Sequence, residues 1–242
     1  MAQAIFRKAS IDAVRMSRYP RYVAFGAFCF FAATQSSSTF AGLKWSQHRA
    51  AALTARRAQA RKPGCIVFDL DGCLWYPDMY ELWGGGAPFT EQQEDGTLLD
   101  RTGRVVTLHS GVREALTELD SPLWEGVPVT AASCCDEPTW ARECLAKFHL
   151  AVNPADGDGK RLKDVVQIAQ IHKGTKTGHM REIATQTGCS YEEMIFFDNE
   201  YYNLEDVAPL GVTCIFCPGG VTRKVWTAAM EVFPSPGKIV RI

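Results

Sequence analysis

An apolar run leads directly into two aspartates in the segment Cys65-Ile66-Val67-Phe68-Asp69-Leu70-Asp71-Gly72. A short run that ends at a glycine predicts a buried parallel strand, Cys65–Phe68, followed by a sharp turn. Open α/β sheets bind ligands at the carboxyl ends of their strands, which is where Asp69 and Asp71 stand. Neighbouring carboxylates repel each other, so the pair favours a bound divalent cation or a proton. Because Asp and Gly are also common turn residues, a purely structural turn is the alternative interpretation.

Three later segments also end in side chains that suit phosphate or metal binding. Residues 129–133 read as a second apolar strand that ends in the hydroxyl of Ser133, and residues 194–197 as a third that leads into Asp198 and Asn199. Lys176 stands at the start of a predicted helix, where a cation opposes the helix dipole. That unfavourable position indicates an anionic partner for Lys176.

The order of these residues, Asp-x-Asp, then Ser, Lys and Asp, resembles the haloacid dehalogenase superfamily of phosphotransferases. Four motifs resemble the magnesium-dependent phosphatase-1 family more closely: Asp69-Leu70-Asp71-x-x-Leu74-Trp75, Ala131-Ala132-Ser133, Gly174-Thr175-Lys176, and the stretch from Met194-Ile195-Phe196-Phe197-Asp198 to Gly211-Val212-Thr213-Cys214-Ile215. The resemblance spans residues 64–233. It implies an α/β, Rossmannoid three-layer fold with a mainly parallel central sheet.

The resemblance also implies a role for each motif residue. Asp69 would be the nucleophile and Asp71 the general acid and base, with the backbone carbonyl of Asp71 facing a Mg²⁺ ion. The implied metal-binding residues are Asp69, Asp71, Asp198 and Asn199. The implied substrate-binding residues are Leu70, Ser133, Cys134 and Lys176. Two of these depart from the family, in which Asp is often found at the position of Asn199 and Arg at that of Cys134. It stays open whether Asp198 or Asn199 contacts the metal directly.

The function implied by the resemblance is Mg²⁺-dependent hydrolysis of phosphomonoesters through an aspartyl-phosphate. The family's substrates, phosphotyrosine and sugar phosphates, make a phosphorylated small molecule or phosphoprotein the expected partner. The alternative is a non-catalytic module that binds phosphate or another protein. Asn199 and Cys134 favour this alternative, whereas four intact residues argue against it: Asp69, Asp71, Ser133 and Lys176.

Charge is distributed unevenly along the 242 residues. Residues 1–62 contain 11 basic side chains and 1 acidic one, out of totals of 26 and 27, which leaves a net charge of −11 on residues 63–242. The net negative charge of residues 63–242 argues against a nucleic-acid partner. The basic leader, rich in Arg, Ser and Ala, predicts a presequence for a plastid or mitochondrion that is disordered or removed. A non-functional leader would leave the protein in the cytoplasm.

The domain boundary is therefore predicted at residue 62, with a phosphatase domain over residues 63–242. The apolar run at residues 22–33 is too short to span a bilayer, so no stable membrane insertion of the mature domain is expected. A glycine-rich segment at residues 76–86 predicts a mobile loop over the site. Residues 97–99 and 105–108 predict a β-hairpin flap in place of a large cap domain.

Strands and helices alternate in the rest of the sequence, which predicts a parallel sheet with helices on both faces. The further predicted strands are residues 127–132, 164–171, 194–197 and 213–216. The predicted helices end at residues 119, 148, 186, 210 and 232, and four of them have an expected side-chain cap: Ser110, Asp136, Thr175 and Thr222. His172 and His179 flank Lys176 and are expected to be surface residues.

Nine cysteines are many for a chain of this length, but their spacing does not predict a zinc site. The Cys214-x-x-Cys217 motif has no second pair of ligands. We therefore expect the cysteines to pack as small apolar residues in a reducing compartment, without structural disulfides.

Overall fold

The computed structural model describes residues 62–92, 94–152 and 159–242. The predicted presequence, apart from Lys62, lies outside the described residues. The strands are β1 (Cys65–Phe68), β2 (Trp75–Tyr76), β3 (Thr90–Glu91), β4 (Leu98–Leu99), β5 (Val105–Leu108), β6 (Val129–Ser133), β7 (Ile168–Ile171), β8 (Met194–Asp198), β9 (Thr213–Phe216) and β10 (Ile239–Arg241). The helices are α1 (Val112–Leu119), α2 (Pro138–Lys147), α3 (Leu162–Val165), α4 (Lys176–Thr187), α5 (Tyr201–Val207) and α6 (Arg223–Val232).

Six strands form the central sheet in the order β10-β9-β8-β1-β6-β7, and all of its strand pairs are parallel. The three central strands β8, β1 and β6 are buried along their whole length, as their apolar sequences predict. Phe68 at the end of β1 lies opposite Ala131 of β6 and Phe197 of β8. This register brings the polar residues that follow these three strands to one edge of the sheet.

Two apolar cores lie on opposite faces of the sheet, because successive side chains of a strand point in opposite directions. Ile66 and Phe68 belong to one core, and Cys65 and Val67 to the other. Helices α1, α2 and α6 contribute to the first core, and α4 and α5 to the second. The predicted three-layer α/β fold is thus confirmed.

The insertion between β1 and β6 carries a second, antiparallel sheet in the order β2-β5-β4-β3. Strands β4 and β5 form the predicted hairpin, in which Leu99 pairs with Val105. The glycine-rich segment contains a 3₁₀-helix, Met79–Leu82, whose Met79 and Leu82 are fully buried. The mobility of residues 76–86 stays a prediction, but these two side chains anchor the segment to the core.

Two of the four predicted caps are confirmed. The Oγ1 atoms of Thr175 and Thr222 accept hydrogen bonds from Gly178 N at 3.1 Å and Val225 N at 3.2 Å. Helix α4 then ends at Gly188, whose φ of 73° is the left-handed conformation that glycine tolerates best. These caps fix the first residue of each helix, including Lys176.

The caps predicted at Ser110 and Asp136 are wrong. Helix α1 begins after Gly111, where a Cβ atom would lie 2.2 Å from the backbone N of Arg223, so close packing selects glycine there. Helix α2 begins at Pro138 after Glu137, and Asp136 pairs with Lys173 at 3.0 Å. In both places a tertiary contact replaces the local cap.

Two element boundaries also differ from the prediction, and one strand was missed. The strand predicted over residues 164–171 covers only Ile168–Ile171, because Asp164 accepts the N–H of Arg161 at 2.8 Å and closes the turn of α3. The helix predicted to end at residue 210 becomes a 3₁₀-helix at Ala208–Leu210, where Pro209 lacks a backbone donor. Strand β10 was not predicted.

Among the described residues, no helix combines the length and apolar character needed to cross a bilayer.

Candidate active site

The four strongest sequence candidates meet at one edge of the central sheet, and all are buried. Asp69, Ser133 and Asp198 stand at the carboxyl ends of β1, β6 and β8, and Lys176 is the first residue of α4. Their convergence follows from the parallel register of the three strands and from the Thr175 cap that starts the helix. Burial makes their charges interact strongly, because water does not screen them.

Lys176 is the centre of this constellation. Its Nζ donates to Asp69 Oδ1 and, at 2.7 Å, to the carbonyl oxygen of Ala132, and it lies 3.3 Å from Asp198 Oδ2. Burial by itself lowers the pKa of Lys176, but the charges of Asp69 and Asp198 outweigh it and raise that pKa above its ordinary value. The ammonium group therefore stays charged and offsets the repulsion between the two carboxylates.

Asp198 is fixed by two further donors. Its Oδ1 accepts the backbone N–H of Glu200 at 2.7 Å, and its Oδ2 accepts Asn203 Nδ2 at 3.0 Å. Burial, followed by the charge of Asp69, raises the pKa of Asp198 to about 7. The site thus holds more negative charge than Lys176 neutralises, which is an environment that favours a bound cation.

Asp71 has the environment of a group that exchanges protons. Its Oδ1 accepts Trp75 Nε1 at 2.8 Å, which fixes the carboxyl orientation. Burial, and then the negative charge of Asp69, raises the pKa of Asp71 to about 6. A carboxyl group with a pKa near neutrality can both donate and accept a proton under working conditions.

The side chain of Asn199 lies against the two aspartates of the first motif. One atom of its amide is 3.0 Å from the Asp71 carbonyl oxygen and 3.3 Å from Asp69 Oδ2. With nitrogen in that position, the amide donates to both oxygens; with oxygen there, three oxygens face one another, as the ligands of a cation do.

These oxygens fit a Mg²⁺ ion. No group of three or more His, Cys, Asp or Glu side chains with the spacing of a metal site occurs in the described part of the chain. Mg²⁺ commonly takes only one or two carboxylates and completes its shell with neutral oxygens and water. The residues that could supply that donor set are Asp69 and Asp198 through their carboxylates, Asp71 through its carbonyl and Asn199 through its amide. Asn199 is the residue that touches the Asp71 carbonyl.

The remaining predicted substrate residues differ in what they can offer. Ser133 is buried at the end of β6, and its Oγ accepts the backbone N–H of Cys135 at 3.2 Å, which leaves its hydroxyl proton to donate. The side chain of Leu70 is fully buried in the apolar core, so a contact with substrate would have to come from its backbone N–H. Cys134 Sγ faces α4, 3.5 Å from Gly174 O and 3.9 Å from His179 Nδ1.

The prediction of a surface position for His179 is wrong. His179 is fully buried, and its ring meets that of His172 edge-on, with centroids 4.3 Å apart. Burial, and then the neighbouring His172, lowers the pKa of His179 to about 4, so the ring is neutral. In the sequence, His179 precedes the apolar Ile183 by four residues. This helical spacing places both on one face, and it could have indicated that His179 points inward. Trp75 and Asn203, which orient Asp71 and Asp198, were also missed.

Comparison with known proteins identifies the family to which this chain is similar. The model of the acid phosphatase family matches residues 61–235. Magnesium-dependent phosphatase 1 of Homo sapiens is 35% identical over 176 residues, which cover 72% of this chain and 89% of that protein. A HAD-like hydrolase superfamily protein of Schizosaccharomyces pombe is 35% identical over 155 residues, which cover 62% of this chain and 83% of that protein.

Two solved structures show a weaker likeness. The N-terminal part of BF1531 from Bacteroides fragilis, a phosphatase domain in complex with Mg, is 13% identical with a TM-score of 0.46, over 73% of this chain and 42% of that chain. CbbY from Rhodobacter sphaeroides in complex with phosphate is 14% identical with a TM-score of 0.43, over 74% of this chain and 93% of that chain. Scores at this level carry no conclusion about the site.

Proposed function

This chain belongs to the acid phosphatase family of the haloacid dehalogenase superfamily, and we propose that it hydrolyses phosphomonoesters through an aspartyl-phosphate formed on Asp69. It is a Mg²⁺-dependent phosphatase, like the human relative whose name records that dependence. The observation that carries the proposed mechanism is the buried contact of Lys176 with both Asp69 and Asp198, beside an Asp71 whose pKa is about 6.

The first step uses four residues of the site. Asp69 attacks the phosphorus atom, the bond from phosphorus to the leaving oxygen breaks, and Lys176 holds Asp69 while binding the phosphoryl oxygens. Ser133 donates a hydrogen bond to the same oxygens, and Asp71 donates its proton to the leaving oxygen. Bound Mg²⁺ supplies charge neutralisation and alignment of the phosphoryl group.

The second step returns the enzyme to its starting state. Asp71, now ionised, takes a proton from a water molecule that attacks the phosphorus of the aspartyl-phosphate. The bond between Asp69 and phosphorus breaks, and inorganic phosphate leaves. Trp75 holds Asp71 in one orientation through both steps, because its Nε1 can donate to either protonation state of the carboxyl group.

The proposed substrates are phosphotyrosine and sugar phosphates. The insertion between β1 and β6 is a small flap, so bulky phosphorylated groups can approach the carboxyl edge of the sheet. Rates with a phosphotyrosine peptide and with a hexose phosphate, compared under the same Mg²⁺ concentration, would rank the two classes. If neither substrate gave a measurable rate, both substrate classes would be rejected, while phosphatase activity on other substrates would remain open.

Turnover of an aryl phosphate with Mg²⁺ and with a chelator tests the activity. We expect Mg²⁺-dependent turnover by the wild type, loss of it in Asp69→Asn, and near-wild-type rates in Asp206→Asn, which removes an exposed carboxylate of α5. A folded wild-type protein that binds phosphate without turning it over would instead establish the non-catalytic alternative favoured by Asn199 and Cys134.

A further inference from the structure

Two buried cysteines touch each other beneath the catalytic turn, and the proposed mechanism uses neither. Cys73 follows Asp71 by two residues, and Cys217 comes directly after β9. Their Sγ atoms are 3.7 Å apart, and the two residues are 0% and 1% exposed. Both thiols are free.

The pair connects the two chain segments that build the site. On one side, the backbone N–H of Cys73 donates to Leu70 O at 3.2 Å, within the turn that carries Asp69 and Asp71. On the other side, the backbone N–H of Cys217 donates to Asp198 O at 3.0 Å. A covalent bond between the two sulfur atoms would therefore tie the nucleophile turn to the Asp198 segment.

We propose that Cys73 and Cys217 are a modification site at which a two-electron oxidant, such as hydrogen peroxide, forms a reversible intramolecular disulfide that inactivates the enzyme. Regulatory disulfides of this kind occur in compartments that are otherwise reducing. The proposal is thus compatible with the expected absence of structural disulfides. Its effect on activity rests on the proposed function, whereas formation of the disulfide does not.

Cys217 is the sulfur that meets the oxidant, because it borders an exposed turn. Pro218 and Gly219 are exposed, and a hydrogen bond from Gly220 N to Cys217 O at 2.8 Å closes the turn, while Val221 N, just after it, donates to Cys73 O at 2.9 Å. Local opening of this turn brings Cys217 to solvent while Cys73 stays beneath the catalytic turn.

The reaction is balanced by the peroxide. The Cys217 sulfur attacks one peroxide oxygen, which gives a sulfenic acid and one water. The Cys73 sulfur then attacks the Cys217 sulfur, and the sulfenic oxygen leaves as a second water with the proton of Cys73. The two thiols together lose two electrons and two protons, and the peroxide is reduced to two waters.

We expect closure of the bond to disturb the site. A disulfide has a sulfur–sulfur distance of about 2.05 Å, so the two sulfurs must approach by about 1.7 Å. The turn beside Cys73 has little room, since a Cβ atom on Gly72 would lie 2.4 Å from Asn199 Nδ2. Movement of the turn therefore changes the contact between the Asp71 carbonyl and Asn199. A displacement of about 1 Å at a catalytic centre can cost about 100-fold in rate, so we expect activity to fall at least about tenfold.

The test uses the reduced full chain with Mg²⁺. The protein is treated with hydrogen peroxide, remaining thiols are alkylated, and digested peptides are examined by mass spectrometry for a Cys73–Cys217 crosslink. Aryl phosphatase activity is measured before oxidation, after oxidation and after dithiothreitol. Cys217→Ser and Cys217→Ala remove one partner, and Cys134→Ser controls for direct oxidation at the substrate site. Each variant is compared only with its own reduced form, after thermal unfolding has shown that it is folded.

The expected result is the Cys73–Cys217 crosslink in the wild type and in Cys134→Ser, with loss of activity that dithiothreitol restores. Folded Cys217→Ser or Cys217→Ala protein should keep its activity under the same oxidation. Absence of the crosslink overturns the modification site itself, whatever the activity. A crosslink that leaves activity unchanged, or equal loss in the Cys217 variants, overturns the inactivation. A protein with no phosphatase activity would refute the proposed function. Mass spectrometry would still show whether the Cys73–Cys217 crosslink forms.

Discussion

Replacement of Lys176 by Met should destabilise the protein far more than the same change at Lys173, three residues earlier. Both lysines pair with aspartates, but Lys176 has 3% of its side chain exposed and Lys173 has 78%. Met keeps most of the length of the lysine side chain and removes only its charge. The pair of variants therefore separates the effect of burial from the effect of side-chain type.

The expected losses of unfolding free energy differ because the aspartate partners of the two lysines differ in exposure to solvent. Without Lys176, the carboxylates of Asp69 and Asp198 remain buried with no cation, and removal of one partner from such a buried pair costs about 3–5 kcal/mol. Without Lys173, only a solvent-exposed pair with Asp136 is lost, and water and salt screen such a pair, so the cost should be far smaller.

Urea unfolding followed by tryptophan fluorescence, with a chelator present, measures both free energies. The loss in Lys176→Met should shrink as the pH falls from about 8 to about 5, because the pKa of Asp198 is already raised to about 7 and protonation removes one of the unpaired charges. A loss in Lys176→Met no larger than that in Lys173→Met, at the higher pH, would show that Lys176 does not neutralise the site.

Three further predictions concern other parts of the chain. Asn199→Asp should lower the Mg²⁺ concentration for half-maximal activity, because a carboxylate adds full charge beside Asp69 and the Asp71 carbonyl; an unchanged value would place Asn199 outside the metal site, with Asn199→Ala as the uncharged control. Burial favours protonated Asp100, but hydrogen bonds from Gly86, Thr102 and Arg104 outweigh it and lower its pKa to about 2. Asp100→Asn should therefore cost about 1–3 kcal/mol at neutral pH and progressively less below about pH 4, as measured by urea unfolding; an equal cost at every pH would contradict this. Protein that starts at Lys62 should keep full activity and stability, while a fluorescent fusion of residues 1–62 should enter an organelle; loss of folding or a cytosolic fusion would reject the respective half of this proposal.

Much of the fold was predictable because its central strands have clear sequence patterns. Cys65–Phe68 and Met194–Asp198 are apolar runs that end in carboxylates, and parallel sheets bury such runs on both faces. Thr175 was predictable for the same local reason, since its cap depends on residues within one turn. The site residues Asp69, Ser133, Lys176 and Asp198 followed from these elements and from the family resemblance.

The errors occurred where distant residues decide local structure. Gly111 starts α1 because the backbone at Thr222 and Arg223 leaves no room for a side chain, which no neighbouring residue reveals. His179 is buried because α4 packs its ring against His172 and Cys134, although histidine is common on surfaces. The orientation of Asp71 by Trp75 depends on a turn geometry that spacing alone does not specify.

Trapping the phosphorylated enzyme is the most direct test of the central claim, that Asp69 is the nucleophile. Asp71→Asn keeps an oxygen for Trp75 Nε1 but cannot activate water, so the second step should stall. An aryl phosphate with an acidic leaving group needs little protonation, so the first step should still proceed. After a single turnover with Mg²⁺ and an acid quench, the peptide that contains Asp69 should carry the mass of one phosphoryl group, located on that residue. Release of the aryl alcohol with no phosphoryl group on Asp69 would contradict the account.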